Sequence, residues 1–437
     1  MDSAKDWVDS SIWWHVYPLG FTGAEPHALP PAVPPVHRLT QLENWLGYLV
    51  DLGCNGLALG PVFASETHGY DTVDHFRIDS RLGDEDDLIQ LIGKASARGV
   101  RVLLDGVFNH VGRSFPAFAE VTANGPASRH ASWFRADADG HFRTFEGHHR
   151  LVELNHDTPE VADYVTDVMT YWLERGIAGW RLDAAYAVPL PFWRSVTDRV
   201  HARFPDAWVV GEVIRGEFSD YVQQAGLDSV TQYELWKGIW SSLNDANFFE
   251  LAWALERHDA LLETFIPHTF LGNHDVTRLA SRLDDDRMLP HALVVLMTVG
   301  GVPSVYVGDE QAFRGVKEDR EGGDDAVRPA FPAQPEELAE DGRPYYRLHQ
   351  LLIGLRRRNP WLVRARTSVA ELTNTTLSYA GSDGADSLAV ALNIADAPVE
   401  VRLPTGEWQH AAGPGDVVGG KAQLPAFGWL IATKPTV

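Results

Sequence analysis

Gly179-Trp-Arg-Leu-Asp183 is an apolar run closed by a carboxylate, and the arrangement returns in Asp105-Gly-Val-Phe-Asn-His110, Val209-Val-Gly-Glu212 and Phe270-Leu-Gly-Asn-His-Asp275. A parallel strand buried on both faces reads as such a run. In a barrel of parallel strands, the carboxyl ends of the strands carry the chemistry. Four such ends in one chain predict an α/β fold, a (β/α)8 TIM barrel with its acidic groups gathered at one rim.

Working outward, the strand and helix signals alternate. Ile12-Trp-Trp-His-Val-Tyr17 is dense in aromatic and β-branched residues and is closed by Pro18, which makes it strand 1. Thr40-Gln-Leu-Glu43 has the form of a capping box, and Leu42, Trp45, Leu46 and Leu49 follow at helical spacing. Gly56–Leu59 reads as strand 2, Leu88, Leu91, Ile92 and Ala95 mark the next helix, and Val100–Leu104 is strand 3. The segment 111–154 then loses any sustained period, and a stretch of that length without regular structure signals an inserted domain with a function. Helical spacing resumes at Pro159 with Val161, Val165, Val168 and Trp172. Strands 4 to 8 are placed at Gly179–Leu182, Trp208–Gly211, Ser229–Tyr233, Ile266–Leu271 and Pro303–Val307. A last helix over Tyr345–Arg358 ends in Arg356-Arg-Arg358, cations suited to the negative end of its dipole, before Asn359-Pro360 stops it. Beyond it, runs such as Thr376–Tyr379 and Ser387–Leu392 alternate and are separated by Gly, Asp and Pro turns. The expected domains are a barrel over 1–110 and 155–361, an insertion over 111–154 and a C-terminal antiparallel β-sandwich over 362–437.

Composition narrows the function. The balance of 37 basic against 60 acidic residues, a formal charge of −23, disfavours nucleic acid and anionic membrane as partners. A neutral substrate suits it best. No basic patch followed by an apolar stretch opens the chain, and no membrane-spanning run of about 18 apolar residues occurs. A cytoplasmic protein without a membrane partner is expected. The single cysteine, Cys54, reads as a small buried hydrophobe ahead of strand 2.

Cleaving an acetal needs one carboxylic acid to protonate the leaving oxygen and one carboxylate to meet the anomeric carbon. Asp183 and Glu212 end neighbouring strands, about 5 Å apart, a gap suited to a retaining mechanism. Asp275 ends strand 7 and is expected to approach the same point. Crowding of these acids raises the pKa of at least one of them. Arg181, two residues before Asp183, lies on the same side of its strand and offers a fixed fork. Asp105 and Asn109 either join the chemistry or brace Arg181 and the rim.

These segments resemble the α-amylase superfamily, glycoside hydrolase family 13. The resemblance runs from Trp13-Trp14 through Leu59-Gly-Pro-Val-Phe63, His68-Gly-Tyr-Asp71, the four segments above, Val152-Glu-Leu-Asn155 and Gly301-Val-Pro-Ser-Val-Tyr306 into the terminal β-region. It implies Asp183 as nucleophile, Glu212 as general acid/base and Asp275 as the third acid that grips sugar hydroxyls. It also implies that His110 and His274 hydrogen-bond the reacting sugar, that Arg181 orients the nucleophile and that Tyr70 stacks under that sugar, with Asp71 and Asp105 beside it. The insertion matches the family's domain B. The implied activity is retaining hydrolysis of short or cyclic malto-oligosaccharides, as in cyclomaltodextrinase, neopullulanase and cyclic maltosyl-maltose hydrolase. The substrate partner is then an α-glucan oligosaccharide.

The departures bear on substrate choice. Many starch enzymes of the family carry Lys-His where this chain has Tyr186-Ala187, so Tyr186 marks an altered acceptor side, and an endo-acting long-chain amylase is disfavoured. The chain starts directly at strand 1, so a homodimer, if formed, is built differently from that of most cyclomaltodextrinases. Asp137-Ala-Asp-Gly140 is too short for a calcium loop and reads as a turn, so no required cofactor or metal is expected. Trp133 and Trp236 fall in loop-like contexts near the rim. His148-His149, adjacent on an irregular segment, do not form a chelating pair. Gly300-Gly301 and Gly322-Gly323 read as turns. A transglycosylase or isomerase with the same residues, or a non-catalytic sugar-binding barrel, are the rival readings; intact Asp183, Glu212 and Asp275 argue against the latter.

Overall fold

The computed structural model describes residues 5–320 and 322–435. Eight parallel strands are found among them in chain order: β1 (Trp13–Val16), β2 (Gly56–Leu59), β3 (Arg101–Gly106), β4 (Gly179–Leu182), β5 (Trp208–Gly211), β6 (Ser229–Val230), β7 (His268–Phe270) and β8 (Val302–Tyr306). Chain contacts divide the molecule into two compact units.

The first unit holds β1 to β6, each hydrogen-bonded in parallel to the next in sequence. Helices α1 (Leu39–Leu52), α2 (Glu85–Ser96), α3 (Pro159–Leu173) and α4 (Leu190–Arg203) alternate with these strands. Parallel neighbours need such crossovers, which cover the sheet face. Trp13 of β1 stacks on Trp208 of β5 with ring centroids 5.7 Å apart and planes 2° apart, and both indoles are buried. Gly56 makes room for that layer, since a Cβ there would lie 2.3 Å from the Trp13 ring. Trp14 points the other way and packs on Trp45 of α1, the period of two that a strand imposes.

The capping box expected at Thr40 does not form. Helix α1 begins at Leu39, and Thr40 Oγ1 donates to the His37 carbonyl while Glu43 pairs with Lys94. The box occurs instead on α2, where Asp84 and Asp87 exchange side-chain acceptors and backbone donors.

The second unit holds β7 and β8, paired in parallel. Its helices are α5 (Tyr233–Asn244), α6 (Phe248–Leu261), α7 (Leu289–Thr298) and α8 (Arg343–Arg358). Tyr233, expected to end strand 6, starts α5: Gln232 accepts from the backbone N–H groups of Glu234 and Leu235 and so opens a helix. Arg356 stands in the last turn of α8 as expected, and it is buried there and donates to the carbonyls of Met297, Val299 and Gly301 at 2.6 to 3.1 Å. Burial holds its pKa down to about 9. After α8 come eight antiparallel strands: β9 (Arg366–Leu372), β10 (Thr376–Ser382), β11 (Ser387–Asn393), β12 (Val399–Arg402), β13 (Gln409–Ala412), β14 (Asp416–Val418), β15 (Lys421–Leu424) and β16 (Trp429–Thr433). They form a five-stranded sheet, β9-β10-β11-β16-β13, and a three-stranded sheet, β12-β15-β14. Ala389, Ala391, Leu430 and Ala432 of the first pack with Val401, Leu403, Ala422 and Leu424 as one buried cluster, the core of a sandwich. No described helix is long and apolar enough to cross a membrane.

Candidate active site

The acidic strand ends of the first unit converge on one arginine. In the ladder, Asp105 of β3 faces Arg181 of β4, and Arg181 faces Val210 of β5. Asp183 donates its backbone N–H to Gly106 O at 3.0 Å, and Glu212 donates to Leu182 O at 2.9 Å, so the two acids leave adjacent strands at the same level. Arg181 Nη1 donates to both oxygens of Asp105, at 2.8 and 2.7 Å, and lies 3.1 Å from Asp183 Oδ1. Its Nη2 lies 2.8 Å from Glu212 Oε1. One fork thus fixes three carboxylates, a use of the planar guanidinium that an ammonium cannot copy. Burial works against the charge on Arg181, but Asp105, Glu212, Tyr70 and Asp183 outweigh it and raise its pKa further.

Two other donors complete the cluster. Tyr70 Oη donates to Asp105 Oδ2 at 3.1 Å, and the Ala184 N–H donates to Glu212 Oε2 at 3.0 Å. Ala184 has φ +44°, a left-handed conformation that a side chain adopts at some cost. That conformation follows directly on Asp183 and turns the chain so that its N–H reaches the neighbouring acid.

His110 is buried and stacked on Phe145 at 4.7 Å, with Asn109 Nδ2 3.1 Å from its Nδ1. Burial, helped by repulsion from His68, pushes its pKa down to about 3, so the ring is neutral. Asp71 is turned into its own loop, where its oxygens accept from the Thr67 N–H at 3.0 Å and the Thr67 hydroxyl at 2.5 Å. Tyr186 Oη donates to Glu146 Oε1 at 3.0 Å, and burial together with that carboxylate raises the pKa of the phenol. Phe145, Glu146, Glu153, Tyr186, Arg215 and Tyr221 line an open hollow of about 670 Å³. Its aromatic walls and scattered polar groups suit a sugar.

In the second unit, the segment after β7 carries its own pair. His274 is buried, and its Nε2 lies 2.9 Å from Asp275 Oδ2. Asn273 Nδ2 donates to Tyr233 Oη at 2.8 Å while its Oδ1 accepts from the Asp275 N–H at 2.8 Å, so the amide pins the turn between α5 and the acid.

Several sequence expectations are redirected. Trp236 lies on α5, not in a loop, and its indole N–H donates to Leu271 O at 3.0 Å. Trp133 packs against His130 and Tyr164. Asp137, by contrast, keeps to its expected turn: its Oδ1 accepts from the N–H groups of Asp139 and His141. Residues that the sequence did not single out are Ala184, Glu146, Arg215, Tyr221 and Arg328. The Arg328 guanidinium lies 4.6 Å from the Tyr17 ring centroid and 6.0 Å from that of Tyr70. No periodic signal marks these positions, and the positive φ of Ala184 and Glu146 has no glycine to announce it.

A family model described as alpha-amylase, catalytic domain, matches residues 37–144 and 127–343. A cyclomaltodextrinase of Geobacillus thermopakistaniensis (strain MAS1) is 30% identical, with 98% of this chain and 77% of that protein covered. Neopullulanase 2 of Thermoactinomyces vulgaris is 30% identical over 83% of this chain and 65% of its own length. The ligand-free structure of cyclic alpha-maltosyl-(1→6)-maltose hydrolase from Arthrobacter globiformis superposes with a TM-score of 0.83 at 27% identity, covering 99% of this chain and all of that one. The fold is accordingly a (β/α)8 barrel with an insertion after strand 3 and a C-terminal β-sandwich. With the acid cluster at the ends of β3, β4 and β5 and a match that spans most of its length, the chain belongs to the alpha-amylase family of glycoside hydrolases.

Proposed function

We propose that this glycoside hydrolase cleaves α-glucosidic bonds of short or cyclic malto-oligosaccharides by double displacement. The observation that carries the reading is the single Arg181 fork shared by Asp183, Glu212 and Asp105 at adjacent strand ends. Asp183 attacks the anomeric carbon while Glu212 gives its proton to the departing glycosidic oxygen, leaving a glycosyl ester on Asp183. Glu212, now a carboxylate, takes a proton from water, and the hydroxide equivalent displaces Asp183 with net retention. Asp275 is assigned the third acidic role on its motif, and His110 and His274 are assigned hydrogen bonds to the sugar. Neutral His110 offers a ring N–H or a lone pair without adding charge. The names of the similar proteins, which refer to cyclomaltodextrin, pullulan and a cyclic maltosyl-maltose, support the substrate class.

The hollow beside Tyr186 favours a second activity of the same residues. A sugar held there presents a hydroxyl in place of water, and transfer then competes with hydrolysis. Timed product chromatography on maltotriose, cyclodextrins, pullulan and panose tests both. Hydrolysis products with retained configuration are expected, with transfer products growing at high substrate concentration. Asp183→Ala should lower kcat on the order of 10⁴-fold with little change in melting temperature. Unaltered activity in that variant, or no turnover of any α-glucan by the parent, overturns the reading.

A further inference from the structure

The turn over residues 272–278, which carries His274 and Asp275, meets one buried carboxylate at both of its ends. At the far end, Arg278 is fully buried and its Nη1 donates to Asp309 Oδ1 and to Val307 O, each at 2.9 Å. The Arg278 guanidinium lies 4.5 Å from the Tyr306 ring centroid, and its backbone N–H donates to Gly315 O at 3.0 Å. At the near end stands Gly272, where a Cβ would lie 2.3 Å from Asp309 Oδ2. Only a residue without a side chain lets the backbone come this close. Asp309 Oδ2 itself has no hydrogen-bond partner among the described residues. A buried carboxylate oxygen without a donor is costly, and the Arg278 charge offsets that cost through Oδ1 alone.

We infer that Asp309 and Arg278 are positioning residues, a clamp across the two ends of this turn that sets the direction in which His274 and Asp275 leave β7. The clamp works by removing slack. Asn273 fixes the turn internally, through Tyr233 and the Asp275 N–H, and reaches neither Gly272 nor Arg278. The ion pair holds one end by charge and the other by close contact. Glu310 stands next to Asp309 and is engaged by the Gly308 N–H at 2.9 Å. Tyr345 and His349 line the same small cavity as Gly272 and Asp309. Neither replaces Asp309 at both ends. The inference rests on the reading that Asp275 acts on the sugar.

A double-mutant cycle tests it, with 4-nitrophenyl α-maltoside as substrate and melting temperature recorded for each protein. Asp309→Asn keeps the shape and the acceptor for Arg278 but removes the charge. It should lower kcat about 10- to 100-fold, the scale of a displacement near 1 Å at a reacting centre. In a His274→Ala/Asp275→Asn background the same change should lower kcat less than 2-fold, because both groups being aimed are already disabled. Gly272→Ala, which pushes on the same carboxylate without altering charge, should follow the same pattern and serves if Asp309→Asn does not fold. Equal losses in both backgrounds would mean a merely structural role and overturn the clamp, as would parent-like kcat in Asp309→Asn and Gly272→Ala. A parent that turns over no α-glucoside would instead sink the functional reading, and the clamp's part in catalysis with it.

Discussion

Arg181 and Arg278 are both buried arginines beside strand ends, and they are served very differently. The Arg181 side chain, 12% exposed, meets Asp105, Asp183 and Glu212, and its cluster gains further donors from Tyr70 and the Ala184 N–H. The Arg278 side chain, 0% exposed, meets Asp309 and one carbonyl, while its Nε and Nη2 and the second oxygen of Asp309 have no partner among the described residues. A buried charge is tolerated when its hydrogen-bonding capacity is filled and costly when it is not. The first cluster is therefore a satisfied network that can hold acids in register for chemistry. The second is a pair with unfilled hydrogen-bonding capacity, and burial outweighs Arg278 in setting Asp309, whose pKa rises to about 6.

Exchanging each arginine for lysine breaks the comparison most directly. Arg181→Lys keeps a charge but cannot span three carboxylates, and the bidentate contact to the buried Asp105 is lost. We expect kcat to fall about 10²- to 10³-fold, the scale of a lost electrostatic contact at the reacting centre. Stability should fall by about 3 kcal/mol, as when a buried pair loses its partner. Arg278→Lys still reaches a single carboxylate, so its cost should stay near 1 kcal/mol. Thermal unfolding and steady-state kinetics of the two variants check this ordering; equal losses would refute the distinction between a filled and an unfilled network.

Acidity sharpens the same contrast. The folded-state pKa of Asp309 lies above its unfolded value, so the folded protein binds the extra proton between about pH 4 and 6, and this group's penalty fades as pH falls through that window. Buried histidines act in the opposite sense. Burial holds His110 down to about 3 and His75, His258 and His349 down to about 4, whereas in the unfolded chain each takes a proton near 6.5. Their contribution is whole above pH 6.5 and is lost as pH falls towards 4. Four such groups outweigh one aspartate, so the melting temperature should decline from about pH 6.5 downward. Asp309→Asn should steepen the decline between pH 6 and 4 by removing the opposing group. Melts at half-unit steps decide; a melting temperature constant down to pH 4.5 would contradict the assignment of neutral buried histidines.

Much of this was legible in the sequence because strands impose a short period. The runs ending in Asp183 and Glu212 gave β4 and β5 to the residue, and the two-residue offset placed Arg181 on the side of Asp183. What failed depends on contacts distant in sequence or on rarer local chemistry. Thr40 has the letters of a capping box, yet α1 starts one residue earlier, while the Asp84–Asp87 box uses a second aspartate in place of the usual Glu or Gln. Tyr233 extends an apolar strand pattern by eye, but Gln232 caps a helix there. The meeting of Glu146 with Tyr186, and of Gly272 with Asp309, comes from loops without periodicity, so no spacing rule could pair them.

Tyr70→Phe is the gentlest probe of the filled network. It removes one hydroxyl, whose Oη donates to Asp105 Oδ2 at 3.1 Å, and leaves the ring in place. Asp105 keeps both contacts from Arg181 Nη1, so a single donor is lost from a carboxylate that still has its counter-charge. The expected loss of stability is about 1 kcal/mol, and kcat should fall only a few-fold, since Asp105 keeps its bidentate contact with Arg181. Pairing this change with Arg181→Lys should give a combined loss larger than the sum of the two, because both changes weaken the donors on the same buried carboxylate. Strict additivity would mean that the hydroxyl and the guanidinium serve Asp105 independently, and the network would reduce to separate bonds.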